Sequence, residues 1–274
     1  MNKTILVLFW VMVSGFCQGQ VPILPSGMEM VEVVGGSFLR GCDTTRHDCY
    51  RAELPQHRVS VSTFWIAHTE VTYGQYAEFL NARKPTRAEL ESWVAWGNKN
   101  LYLLRQNDGV WVVLKGYDNH PIVLVSIEGA LAFCTYYGGT LPSEAQWEYA
   151  AIGGKQSQNY LYAGSSDVEQ VAWYRENAND KAQAVAQKKP NELGLYDMSG
   201  NVWEWCLDYF DEDFYRTPQA RKANPLHTKE NYSKHRVVRG GSWNSFDGYC
   251  RSITRFYAAE DNKNSYLGFR MVKK

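Results

Sequence analysis

The stretch GLYDMSGNVWEW, residues 194–205, decides most about the fold of this chain. Its twelve residues combine three aromatic rings, two carboxylates and two glycines, a mixture that ordinary hydrophobic core does not need. Asp197 precedes a Gly-Asn turn, and Glu204 lies between two tryptophans, so oxygen ligands lie on a bend beside an apolar wall. Calcium takes its ligands from carboxylates and backbone carbonyls. The stretch therefore indicates a calcium-binding turn, and a metal-free turn in which Glu204 caps backbone amides is the alternative.

Five further segments accompany this turn in a fixed order along the chain. They are MVEVVGGSF (residues 30–38), FWIAHTEVT (64–72), LPSEAQWEYA (141–150), RGGSW (239–243) and LGFR (267–270). Together the six segments resemble the formylglycine-generating enzyme family, also called sulfatase-modifying factors, over nearly the whole mature length. The resemblance implies an α+β fold, a single loop-rich domain related to the C-type lectins, with little regular secondary structure.

The resemblance also implies two metal sites. A calcium ion would be held by the Asp197 side chain, the backbone carbonyls of Gly200 and Val202, and the Glu204 carboxylate. Family enzymes further hold a copper ion between two cysteines near the C-terminus, where it activates dioxygen and oxidises a cysteine of a client protein. Paired thiolates are the soft ligands that Cu(I) prefers.

The copper centre is expected to be incomplete in this chain. Counted from RGGSW, its two positions fall at Ser245 and Cys250, and a neutral hydroxyl is a poor ligand for Cu(I). The dioxygen-binding positions of the family, Trp203 and Ser242, are kept. We therefore do not expect standard formylglycine chemistry, since fold alone does not establish activity.

Three functions remain as hypotheses. The preferred one is a divergent or non-catalytic, calcium-stabilised module that binds a protein or peptide in the cell envelope. The alternative is an oxidoreductase that generates formylglycine, or a related oxidation, on a cysteine of a sulfatase-like client, with one thiolate at Cys250 and a second, unusual ligand. A third is a carbohydrate binder that stacks sugars on Trp93, Trp96 and Trp111.

Composition limits the partners and the number of domains. The chain has 274 residues, with 29 basic and 29 acidic side chains, so bulk charge gives no reason to expect a nucleic-acid partner. Aromatic residues make up 14% of the chain, which favours a loop-rich fold held by aromatic clusters. We predict one domain over residues 25–274, with an insertion at 83–117 that matches the family pattern poorly.

Residues 1–19 have the features of an export signal, with a basic start and an apolar run at residues 5–13. Small residues near Gly19 predict cleavage after it, and hence a periplasmic or secreted protein. A lipid anchor at Cys17 is the less favoured alternative, because Phe16 is a poor fit to the small residue that such sites prefer. The apolar run is too short to span a bilayer comfortably, and no later segment is apolar enough to be transmembrane.

Export would allow disulfides. Without the signal an odd number of cysteines remains, and Cys42 and Cys49 are close enough to close a small loop. Cys206 follows the Trp-Glu-Trp run and Cys250 follows RGGSW, so these two form a bridge if the two motifs meet in space. Cys134 is then left as a buried thiol on a helix.

Periodicity and capping residues predict the main elements. Helices are expected at residues 72–82, 126–137 and 143–152, and strands at 29–34, 58–66, 101–104, 111–114 and 236–239. The turn Asn107-Asp-Gly109 predicts a hairpin. Arg270 in the closing segment is expected to pair with a buried carboxylate such as Glu144 or Glu148.

Overall fold

The computed structural model describes residues 24–95, 103–230 and 232–274. The predicted export signal, with Cys17, and the tryptophan at position 96 lie outside these ranges. The helices are α1 (Tyr73–Arg83), α2 (Arg87–Trp93), α3 (Ile127–Tyr136), α4 (Glu144–Ala151) and α5 (Val168–Val171). The strands are β1 (Met30–Val33), β2 (Gly36–Arg40), β3 (His57–Val61), β4 (Phe64–Ala67), β5 (Leu104–Asn107), β6 (Val110–Val113), β7 (Trp203–Tyr209), β8 (His235–Arg239), β9 (Phe256–Ala259), β10 (Leu267–Gly268) and β11 (Val272–Lys273).

A four-stranded sheet in the order β10-β7-β8-β9 organises the molecule. Strand β7 runs parallel to β10 and antiparallel to β8, and Glu204 lies opposite Arg239. A second sheet has the order β1-β4-β11, and β2-β3 and β5-β6 form separate pairs. Most of the chain lies in loops between these small sheets, which confirms the loop-rich α+β fold. The pairing of β7 with β8 brings the 194–205 and 239–243 segments side by side.

Side-chain caps explain why three predicted helices form where they do. The hydroxyls of Thr72, Ser126 and Ser143 accept hydrogen bonds from backbone amides in the first turns of α1, α3 and α4. The three helices match their predicted bounds to within one residue. Helix α2 was not predicted, although Thr86 and Glu89 form a capping box at its start.

Two of the five predicted strands differ from the structure, and strands β2, β7, β9, β10 and β11 were not predicted. The single run expected at 58–66 is two strands, because β3 pairs with β2 whereas β4 pairs with β1 and β11, so the chain changes sheets at residues 62–63. The hairpin is confirmed, with Asp108 and Gly109 both in the left-handed region (φ 48° and 81°) that such tight turns require. Its first strand was predicted too early, since β5 begins at Leu104 where a strand was expected to end.

The described part of the insertion packs onto the aromatic core and does not present Trp93 and Trp111 to solvent. Trp93 stacks on Phe79 with ring centroids 5.6 Å apart, and Trp93 and Trp111 are each only 4% exposed. The Asn81 side chain fixes Trp111 by bonding both its backbone amide (2.7 Å) and its carbonyl (2.9 Å). The prediction that these two rings stack sugars is therefore wrong, and Trp96 lies outside the described residues.

Glu144 is the centre of a buried ionic cluster beneath the four-stranded sheet. Its carboxylate accepts hydrogen bonds from Arg255 at 2.6 and 3.0 Å, and Arg239 approaches to 3.5 Å. Arg40 lies 2.8 Å away without hydrogen-bond geometry, its guanidinium over the Tyr215 ring at 4.5 Å, so this contact is ionic and cation–π. Burial alone would raise the pKa of Glu144, but the three arginines outweigh it and lower the pKa to about 2.

The cysteines agree with prediction except for one pair. Cys42 and Cys49 form a disulfide, and Cys134 is a buried thiol on α3. The predicted bridge between Cys206 and Cys250 is wrong, since both are buried free thiols in different apolar clusters. The two motifs do meet through β7 and β8, but the two thiols pack into separate parts of the core.

No helix among the described residues is long and apolar enough to cross a membrane.

Candidate functional site

The predicted calcium turn is a tightly curled loop tied to the RGGSW segment. Asp197, Gly200 and Asn201 all have left-handed backbone conformations, with φ between 57° and 79°. A Cβ at Gly200 would lie 2.3 Å from the Trp173 carbonyl oxygen, so only glycine fits there. The Gly200 amide donates to the Gly240 carbonyl at 2.8 Å, which fixes the turn against its neighbour.

Two buried carboxylates, Asp197 and Glu70, lie at this turn. An Asp197 oxygen accepts a hydrogen bond from the Ala186 amide at 2.8 Å. Glu70 accepts one from the Val202 amide at 3.1 Å and one from the Asn201 side chain at 2.7 Å. Burial raises the pKa of Asp197 to about 6, and burial together with the Asp197 charge raises the pKa of Glu70 well above its ordinary value. Ionisation of both carboxyls at once is therefore unfavourable unless a cation is present.

Glu204 is held by Arg270. Its two oxygens accept hydrogen bonds from the Arg270 guanidinium, both at 2.7 Å, and one also accepts from the Trp147 indole at 2.8 Å. The expected pairing of Arg270 with Glu144 or Glu148 is therefore wrong, because the glutamates of α4 are already held by other arginines. A Glu204 carboxylate with three donors has little capacity left for a metal ion.

Two of the buried carboxylates have no arginine as an ion-pair partner. Among the described residues, seven carboxylates and five arginines are buried. The cluster around Glu144 contains three carboxylates and three arginines: Glu144, Glu148, Asp208, Arg40, Arg239 and Arg255. Elsewhere, Arg251 pairs with Glu53 and Arg270 pairs with Glu204. The two carboxylates left over are Glu70 and Asp197. Their charge fits a divalent cation, with the carbonyls of Gly200 and Val202 in the same turn as additional oxygen donors.

A full set of side-chain ligands does not converge there. In the part of the chain that the structure describes, the only three His, Cys, Asp or Glu side chains with ligand atoms within 4.8 Å of one another are Cys42, Cys49 and Glu53. Two of these are joined in the disulfide. Any ion at Asp197 and Glu70 would therefore depend on backbone oxygens or water for the rest of its shell.

The first copper position is occupied by a hydroxyl that closes a local turn. Ser245 Oγ accepts a hydrogen bond from the Ser242 amide at 3.1 Å and lies 2.9 Å from Ser242 Oγ. Ser242 Oγ also donates to Asn244 at 2.7 Å. The two serines thus stabilise the turn after RGGSW, and Ser245 supplies no thiolate.

The second copper position, Cys250, lies in an apolar cluster with Tyr162, Val171 and Tyr174. Burial, with a smaller contribution from Asp247, raises the pKa of the Cys250 thiol to about 12. The sulfur packs against Gly241, where an added Cβ would lie 2.8 Å from it. Cys250 is thus a protonated thiol at neutral pH, whereas metals bind the thiolate.

A continuous row of rings runs across the surface beside these positions. We call it the aromatic strip, and its members are Tyr50, Tyr249, Trp203, Phe256, Tyr257 and Phe210. Neighbouring ring centroids along it are 4.8 to 6.4 Å apart. Trp203 is the buried floor, whereas Tyr50, Phe256 and Tyr257 are each at least 40% exposed. Exposed rings in a contiguous patch are typical of an interaction surface.

Sequence reasoning named Trp203, Ser242 and Cys250 as positions of the family's redox site but missed Glu70 and the aromatic strip. Glu70 lies in the segment 64–72 directly before α1, and its being the only acidic residue of that segment was an available signal. The strip joins residues from four separate regions of the chain, so no local pattern could have indicated it.

Comparison with known proteins gives matches over most of the chain. The family described as "Sulfatase-modifying factor enzyme 1-like domain" matches residues 20–274. The formylglycine-generating enzyme of Streptomyces coelicolor is 30% identical over 280 residues, which cover 88% of this chain and 87% of the enzyme. The serine/threonine-protein kinase Pkn1 of Chlamydia trachomatis is 32% identical over 249 residues, which are 89% of this chain but only 38% of the kinase. PvdO from Pseudomonas aeruginosa shares the fold, with a TM-score of 0.71, 22% identity, and 91% and 98% of the two chains covered.

Proposed function

This chain belongs to the sulfatase-modifying factor enzyme 1-like family, and from that premise we propose that it binds a protein or peptide without copper-dependent oxidation. The observation that carries the proposal is the pair of copper positions, one a hydrogen-bonded serine and the other a buried thiol with a raised pKa. Ser245 cannot supply a thiolate, so the pair of soft thiolate ligands that Cu(I) prefers does not form. The family fold is kept while its redox centre is lost.

The aromatic strip supports peptide binding as the retained activity. Aromatic residues supply most of the binding energy at protein interfaces, because they bury large areas with little loss of conformational freedom. The strip passes Tyr249, which directly precedes Cys250, and Trp203, whose ring is 5.5 Å from that of Phe256. A polypeptide on the strip would thus lie over the surface where the family places its oxidation chemistry.

Calcium belongs to the proposal as a stabilising ion. Asp197 and Glu70 would hold it, together with the carbonyl oxygens of Gly200 and Val202, while Glu204 stays with Arg270. The support is the buried excess of two negative charges at this turn. The ion would fix the 194–205 segment and so position Trp203 at the floor of the strip.

We place the protein in the cell envelope, on the residues 1–19 that resemble an export signal. N-terminal sequencing of the mature protein separates cleavage after Gly19, which fits a periplasmic or secreted protein, from acylation at Cys17. An uncleaved cytoplasmic chain would remove this part of the proposal.

Truncating one ring of the strip is expected to weaken peptide binding. Peptides selected from a random display library against the wild-type protein should bind Phe256→Ala at least about tenfold more weakly, a loss of about 1.4 kcal/mol. Tyr160→Ala is the matched control, because that ring is also 41% exposed but lies outside the strip. Equal losses in both variants, or selection of no peptide at all, would contradict the proposal.

One observation favours the oxidoreductase alternative. Cys250 is a free thiol and not part of a disulfide, so one copper ligand is chemically available. Competitive Cu(I) titration of the wild type and of Cys250→Ser decides between the two functions.

A further inference from the structure

The insertion forms one wall of a cavity that no part of the proposed function uses. The cavity has a volume of about 250 Å³ and lies between the insertion, the loop at residues 180–182 and Trp243. Aromatic side chains from three regions line it: Tyr73, Tyr117, His120 and Trp243. The Trp203 amide donates to the carbonyl of Tyr266 at 2.8 Å, and the neighbouring Ser265 lines the cavity, so the cavity lies close to the floor of the aromatic strip.

The walls of this cavity are held in place by hydrogen bonds that do not involve a ligand. The Trp243 indole donates to the Ser265 carbonyl at 3.0 Å, and its backbone amide donates to the Asn201 carbonyl at 2.8 Å. The Tyr117 and His120 rings are in contact, with centroids 4.7 Å apart. Walls fixed in this way lose little freedom when a ligand enters, which favours binding.

Size and charge restrict what the cavity can take. Pockets for cofactors and drug-sized ligands span about 300–1,000 Å³, so this cavity suits a group no larger than one side chain. Its two fully charged lining residues, Asp180 and Lys181, have opposite signs and are adjacent in sequence. Burial, aided by the Lys181 charge, lowers the pKa of His120, so the imidazole is neutral at pH 7. The cavity therefore offers neutral aromatic walls without net charge.

We infer that this cavity binds one aromatic side chain, a tyrosine or tryptophan, of the polypeptide that occupies the aromatic strip. Ring-on-ring packing against Tyr117 and Trp243 selects a flat group over an aliphatic one. Polar atoms of Ser265 and His120 in the lining suit a side chain that carries an O–H or N–H at its tip. The inference rests on the proposed function and adds to it the residue that would anchor the client.

The test uses small probes, so that it does not depend on knowing the client. Saturation-transfer NMR with the full mature chain would compare N-acetyl-L-tyrosinamide and N-acetyl-L-tryptophanamide with N-acetyl-L-leucinamide and methyl glucoside. Ala182→Phe fills the cavity from its rim, and Tyr117→Ala removes a wall. Tyr160→Ala, on an exposed ring outside the cavity, is the matched control.

We expect saturable binding of the aromatic amides, at least about tenfold stronger than that of the leucine amide and weakened at least about tenfold by Ala182→Phe. Tyr160→Ala should bind like the wild type. Equal binding of the leucine amide, binding of the sugar alone, or no binding would overturn the inference. If the amides do not bind but selected peptides still bind the strip, the cavity inference fails and the proposed function stands. If the amides bind but no peptide can be selected, the proposed function fails and the cavity remains a site for aromatic groups.

Discussion

Replacing Glu144 by alanine is expected to destabilise the folded protein by about 3–5 kcal/mol, because the change leaves buried arginines without their shared carboxylate. Arg255, Arg40 and Arg239 all lie within 3.5 Å of Glu144, and Glu144 and these three arginines have no solvent exposure. A domain of ordinary stability has only about 5–15 kcal/mol to lose, so much of the variant should be unfolded at growth temperature.

Equilibrium unfolding in urea at pH 7 measures this loss. Folding lowers the pKa of Glu144 from 4.5 to about 2. The ionised carboxylate therefore stabilises the folded protein in full above pH 4.5, and this stabilisation is lost as the pH falls through 2. At pH 7 the whole contribution of Glu144 is measured. Glu144→Gln keeps the shape and gives a measurable value if the alanine variant does not fold. Glu91→Ala is the matched control, since its ion pair with Arg87 is exposed and contributes at most about 1 kcal/mol. A loss at Glu144 no larger than at Glu91 would contradict the account of the ionic core.

Removing calcium is expected to destabilise the protein, and more so as the pH rises. Folding raises the pKa of Asp197 from 3.8 to about 6, so without a cation the folded protein favours the protonated carboxyl. The stability that this proton contributes is complete below pH 3.8 and is lost as the pH rises through 6. Glu70 adds to the loss in the same direction. A bound calcium ion reverses it by supplying the missing positive charge, with a stabilisation of about 3 kcal/mol at a concentration a hundredfold above the Kd.

Thermal melts in EDTA and in calcium, at pH 5 and pH 7.5, separate these contributions. The difference in Tm between the two conditions should be larger at pH 7.5, and Asp197→Asn combined with Glu70→Gln should remove it. Glu53→Gln should keep the calcium response, because that buried carboxylate is paired with Arg251. Melting curves at pH 7.5 that EDTA leaves unchanged, and that calcium does not restore, would reject the calcium site.

Features set by nearby residues could be predicted from the sequence. The caps at Thr72 and Ser143, the Asp108-Gly109 turn and the Cys42–Cys49 loop each depend on contacts within a few residues. In each case the chemistry of one side chain or one backbone conformation determines the structure.

Features that join distant segments could not be predicted in the same way. Arg270 and Glu204 are 66 residues apart, and Arg255 and Glu144 are 111 apart, so the choice among buried carboxylates depends on sheet register. The burial of Trp93 likewise follows from a helix that the sequence analysis did not identify. That Glu70 has no arginine as an ion-pair partner likewise depends on how all the buried arginines pair in the folded protein.

A competitive Cu(I) titration of the mature protein, with the Cys42–Cys49 disulfide intact, tests whether the copper centre is lost. A colorimetric Cu(I) chelator reports the competition, with Cys250→Ser and Ser245→Cys as companion variants. We expect the wild-type protein and Cys250→Ser to compete equally weakly with the chelator for Cu(I). Ser245→Cys restores the two-cysteine pair and should bind Cu(I) more tightly than the wild type. Tight binding of one copper ion by the wild type that disappears in Cys250→Ser would contradict the account and support the oxidoreductase.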